Sequence, residues 1–146
     1  MLNAQWGNRP GLDDLIRRFE ACTLPKAEWT HQAHLAVGAW HVHRHGAADA
    51  MTRLREGIRR LNDSHGTVNS ATSGYHETIT YAYVTLLAEY LSRPADGSLA
   101  ERVTQLLGSP LAARDALSRF YSGQTLKSQE ARKGIAPSRI PLRLWF

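Results

Sequence analysis

Three histidines at the openings of two helical patterns are the residues best suited to chemistry. Trp29-Thr-His-Gln-Ala-His-Leu35 carries His31 and His34 three residues apart, and Gly74-Tyr-His-Glu-Thr-Ile-Thr80 carries His76. Residues three apart on a helix have Cβ atoms about 5–6 Å apart, so two rings reach one ion. A neutral imidazole offers a lone pair at ordinary pH, which suits a divalent transition metal such as Zn, Fe, Ni or Mn. A metal centre needs at least one further ligand, and His76 is the candidate. Open positions would make such a site reactive; closed coordination would make it structural. Adjacent helical residues point about 100° apart, so Glu77 is expected to orient another histidine or act as a base, rather than share an ion with His76. Tyr75 would donate to a bound oxyanion or pack with its hydroxyl wet. A lone HxxH pair lacks the specificity of HExxH, which is absent.

Helical periodicity supplies the elements that must position these groups. Leu12, Leu15, Ile16 and Phe19 form one stripe of a helix from about Leu12 to Thr23, with Asp13 and Asp14 in its first turn. Residues 1–10, with Gly7, Asn8 and Pro10, read as an extended arm. A central helix from about Glu28 to His45 is capped by Thr30 and closed by Gly46. His31, His34, His41 and His45 share one of its faces; near the C-terminus, His41, His43 and His45 suit the helix dipole without any further role. A third helix, about Ala47 to Asn62, buries Met51, Leu54, Ile58 and Leu61 and turns Arg53, Arg55, Arg59 and Arg60 outward. Residues 62–74 read as a long loop, in which Asn62 and Asn69 either line a pocket mouth or make ordinary turns. The fourth helix, about Tyr75 to Ser92, is the most apolar and is expected to be the central strut. Ser98-Leu-Ala-Glu101 has capping-box spacing for a short helix to about Leu107. Leu111, Leu117 and Phe120 suggest another helix ending near Tyr121, and residues 128–133 one or two helical turns. The tail, residues 135–146, is extended and apolar, and would wrap the bundle or meet a second copy in a homodimer. The expected fold is therefore all-α, one domain with a bundle of about five to seven helices.

Composition limits the alternatives. At 146 residues the chain can bury a real core. No apolar run approaches the roughly 18 residues of a membrane span, and the N-terminus lacks the apolar core of a secretory signal. A single cysteine, Cys22, makes no internal disulfide, so a reducing cytoplasm is the expected compartment. The net charge of +5 is dispersed, without a run of five or six basic residues.

The motifs resemble a family of small, uncharacterised bacterial proteins with W-T-H-x-x-H-L, G-Y-H-E-T-[IL]-T and a late S-x-x-A-R, here Ser128-Gln-Glu-Ala-Arg132. The resemblance covers about Phe19 to Pro137. It implies that His31, His34, Tyr75, His76, Glu77 and Arg132 belong to one site, but it implies no particular reaction. The family pattern has a Pro-Asp pair after the last helix; this chain has Pro137-Ser138. Beside a histidine pocket, Arg132 would clamp a carboxylate or phosphate.

Three functions follow as expectations. The first is a metal-binding protein or metal-dependent enzyme acting on a small anionic molecule. The second is a metal-free pocket for a small anion. The third, and weakest, is a basic nucleic-acid or protein-interaction module using the third-helix arginines; no recognised nucleic-acid signature supports it. Nucleophile elbows, P-loops and dinucleotide fingerprints are absent.

Overall fold

The computed structural model describes Trp6 and residues 8–146. Among these, every regular element is helical: α1 (Arg9–Glu20), α2 (His31–His45), α3 (Ala47–Ser64), α4 (Glu77–Ser92), α5 (Leu99–Leu107), α6 (Gly123–Lys127) and α7 (Gln129–Lys133). The all-α bundle expected from periodicity is the fold observed. Most of the expected N-terminal arm lies outside the described residues.

The chain's axis is α2, which packs against α1, α3, α4 and α5. Several of its inward residues are small: Ala33, Ala36 and Ala39 are fully buried, and a Cβ on Gly38 would lie 3.0 Å from Leu87 Cδ1. The absence of a side chain at Gly38 lets Leu87 of α4 approach closely, and α4 adds the fully buried Ala82 and Leu86 to the core. The central role expected of α4 is thus shared with α2.

Local chemistry explains the boundaries. Thr30 accepts the Ala33 N–H as the N-cap of α2, 3.1 Å away. Gly46, at φ +80°, ends α2 and starts α3 without a loop. Ser98 and Glu101 form the reciprocal capping box of α5. Three expectations need correction. The first helix begins at Arg9 and includes Pro10, because proline is tolerated where the N–H has no helical partner; Asn8 caps it through Gly11 N–H. Tyr75 and His76 lie outside α4, since His76 is its extended N-cap. Residues 110–121 form two short 3-10 turns, Pro110–Ala112 and Ala116–Arg119, in place of one helix.

The tail is extended, as expected, and lies on its own bundle. Thr78, fully buried on α4, donates to Gly134 O at 2.7 Å and accepts from Ala136 N at 2.9 Å. Glu89 accepts the Leu144 N–H, and Arg119 lies 4.6 Å from the centre of the Trp145 ring. No helix among the described residues is long and apolar enough to cross a membrane.

α1 and α3 meet through a close approach at Gly57, where an added Cβ would fall 2.8 Å from two ring atoms of Phe19. That ring is fully buried and packs at 5.4 Å from Trp29 and 5.6 Å from His41, so it has no room to retreat. Alanine favours a helix over glycine by about 1 kcal/mol, but overpacking costs about 1–3 kcal/mol. Gly57→Ala is therefore expected to lower stability in urea unfolding by about 1 kcal/mol. A stabilised variant would show that this contact is loose.

Candidate functional site: a cleft between α2, α3 and α4

Two adjoining cavities open between α2, α3 and α4. The first, about 330 Å³, is mostly apolar, lined by Leu35, Gly38, Leu54, Ile58, Ile79, Val84 and Leu87, with His31, His34, Thr80 and Tyr83. The second, about 450 Å³, is more polar, lined by Lys26, Asn62, His65, Thr67, Tyr75 and His76. Trp29, His34, Ile58, Ile79 and Thr80 border both, so His34 stands at their junction.

His34 is positioned by its own helix start. Its Nδ1 donates to Thr30 O at 2.7 Å, and its ring stacks on Trp29 with centroids 3.7 Å apart. This fixes the tautomer with Nε2 as a bare lone pair, which has no partner among the described residues. The residue is open to solvent along the cleft, yet protein encloses the ring elsewhere. That enclosure pushes its pKa down to about 4, so the ring is neutral at physiological pH. His31, one turn earlier, is half-buried and meets Tyr83 edge-on, with ring centroids 5.9 Å apart. Its Nε2 is buried without a hydrogen-bond partner, and burial lowers its pKa. Tyr83 is pushed up to about 12 by burial, which keeps the phenol neutral.

His76 has a different duty. Its Nδ1 accepts the Ile79 N–H at 3.1 Å, capping α4, and its Nε2–H donates to Leu126 O at 2.7 Å. Both ring nitrogens are therefore engaged by backbone, and burial lowers the ring's pKa. This corrects the expectation of His76 as a ligand beside His31 and His34: it has no lone pair to offer a metal. Among the described residues no three His, Cys, Asp or Glu side chains gather as a metal site. The donor set does not fit a resident Zn, Fe, Ni or Mn ion.

Glu77 and Tyr75 belong to a clasp joining α3 to the start of α4. Arg55 grips Glu77 bidentately at 3.0 and 2.8 Å, and Tyr75 Oη donates to Glu77 Oε1 at 2.7 Å. These bonds, Arg55 foremost, hold the carboxyl below the usual range, while burial pushes the Tyr75 phenol well up. A carboxylate so fully engaged is a poor proton acceptor, and its hydrogen bonds serve to hold the clasp. Asn62, buried at the polar cavity, donates to Asn69 Oδ1 at 3.0 Å. Asn69 in turn accepts the Tyr75 N–H and donates to Arg59 O, tying down the 65–74 loop. Gly74, at φ +76°, leaves no room for a Cβ, which would lie 2.5 Å from Asn69 Oδ1. Arg132 does not line the histidine cleft; it donates to Gly74 O at 2.7 Å and borders a separate cavity that also includes Tyr75.

Sequence reasoning brought His31, His34, His76, Tyr75 and Asn62 to the cleft walls. It missed Arg55 as a clasp residue and Lys26, Thr80 and Tyr83 as lining residues. Nothing local marks Arg55, because its partner lies 22 residues away; Tyr83 was readable only as one turn beyond Ile79 on α4. Comparison with protein-family models, curated proteins and solved structures finds no match to this chain.

The pKa of His31, His34, His41 and His76 is lowered in the fold, chiefly by burial. Each ring binds its proton less tightly folded than unfolded, so the unfolded chain takes up more protons as pH drops. Stability is thus expected to be full above pH 6.5 and to fall from there toward about 4. Glu77, whose carboxyl is also held below its ordinary value, adds a further loss only below 4.5. Chemical denaturation between pH 7 and 5 checks this, and His76→Asn, which retains a capping oxygen, should flatten the slope. Stability that stays level or rises on acidification to pH 5 would contradict it.

Proposed function

We propose that this protein binds a small molecule, without a metal, in the cleft between α2, α3 and α4. The molecule places an apolar body in the inner cavity and a hydroxyl or N–H donor against His34 Nε2. The observation that carries this reading is the bare His34 lone pair at the junction of an apolar and a polar cavity. A neutral imidazole accepts a hydrogen bond; it does not pair with an anion. The ligand is therefore a neutral donor at this point, and only its outer end, near Lys26, would carry negative charge.

Binding fits better than general-base catalysis. A base works best with a pKa near the working pH, and His34 lies well below it. The single cysteine supports a reducing, cytoplasmic setting.

Phenol and toluene test the donor requirement, being similar in shape and differing in the hydroxyl. Their affinities for the full chain can be read by NMR titration of the α2 and α4 amides. His34→Leu is expected to lower the phenol-to-toluene affinity ratio about five- to tenfold, the worth of one hydrogen bond. An unchanged ratio, or shifts away from the cleft, would refute the assignment.

A further inference from the structure

A third cavity, of about 260 Å³, shares Tyr75 with the polar part of the histidine cleft. Arg59, Arg132 and Lys133 line it with Asn69, Ser70 and Tyr75, and no carboxylate does. None of the three cations makes a salt bridge among the described residues. Two acids lie close by: Asp63 accepts from Asn69 Nδ2 at 3.2 Å, and Glu77 already receives three hydrogen bonds from Arg55 and Tyr75.

One of these cations, Arg132, is held in place before any ligand arrives. Arg132 donates through Nη1 to the carbonyls of Gly74 at 2.7 Å and Tyr75 at 3.4 Å, which leaves Nε and Nη2 without partners. The Arg59 guanidinium lies 5.0 Å from the centre of the Tyr75 ring, and its backbone carbonyl is gripped by Asn69. A guanidinium fixed on one side and open on another is suited to accept a tetrahedral or planar oxyanion, with little ordering left to do on binding. Lys133, exposed at the end of α7, adds a mobile point charge.

We propose that the cavity bordered by Arg59, Arg132 and Lys133 is an oxyanion site, sized for a phosphate group, distinct from the histidine cleft. Its ligand is either free phosphate or the phosphate of a monoester, the shared chemistry being a doubly charged group bearing several acceptor oxygens. Arg132 serves as its rigid wall; Arg59 and Lys133 close on the open side.

Amide NMR titration of the full chain with inorganic phosphate, at constant ionic strength with chloride, tests the site. Saturable shifts centred on residues 69–75 and 132–133 are expected. The double variant Arg59→Gln/Lys133→Gln, altering two exposed side chains, should weaken the affinity about tenfold or more. His34→Leu should leave it unchanged, which separates this site from the cleft. Phenyl phosphate as a second probe distinguishes the sources: tighter binding than phosphate points to a monoester, equal binding to the free ion. Shifts that never saturate, or an affinity unaltered in the double variant, would overturn the proposal.

Discussion

A single neutral imidazole governs how the second half of the chain meets the first. His76 supplies the lone pair that caps α4 and the proton that reaches Leu126 at the end of α6. No other common side chain offers an acceptor and a donor on opposite sides of one small rigid ring. Around it, the other ties repeat the same direction of pull. Arg132 of α7 holds the Gly74 carbonyl, and Thr78 holds both Gly134 and Ala136. The C-terminal segment is thereby latched to the first turn of α4, and the wall of the cleft that faces α2 is set in place.

The latch works only while the ring is uncharged. A second proton would sit on Nδ1, facing the Ile79 N–H, and replace an attraction with a repulsion between two donors. Burial among protein atoms favours the neutral form, so the environment that needs a neutral ring also produces one. The same physics has a different consequence at His34. There the hydrogen bond to Thr30 consumes the Nδ1 proton and leaves Nε2 turned to no protein group. Two histidines from the two helix openings thus divide into one that completes the fold and one with an atom to spare. Trp29 stacking keeps the second ring from rotating away, which makes its lone pair a fixed feature of the cleft.

Periodicity revealed the helices because the apolar stripes are long and regular, as in Leu54, Ile58 and Leu61 of α3. Caps were legible too, at Thr30 and Ser98, since their chemistry is confined to four residues. The segment from Pro110 to Tyr121 was misread because its apolar residues, Leu111, Leu117 and Phe120, fill the core from short turns, where spacing carries no period. The site was half legible. Residue type and helical offset placed His31 and His34 on one wall of a single cavity. They could not show that His76 spends both nitrogens on backbone, one of them 50 residues distant. Nor could they show that Arg55 occupies Glu77, or that Arg132 holds the Gly74 carbonyl. Those facts depend on contacts between elements, and no pattern within an element encodes them.

The account requires His34 and His76 to be neutral and in opposite tautomers: His34 protonated on Nδ1, His76 on Nε2. Long-range proton–nitrogen NMR correlation of the imidazole rings, on the full chain near pH 7, reads this directly. The predicted result is a bare-nitrogen signal from Nε2 of His34 and from Nδ1 of His76, both unchanged down to pH 6. A His76 ring protonated on both nitrogens, or carrying its proton on Nδ1, would contradict the latch and with it the cleft.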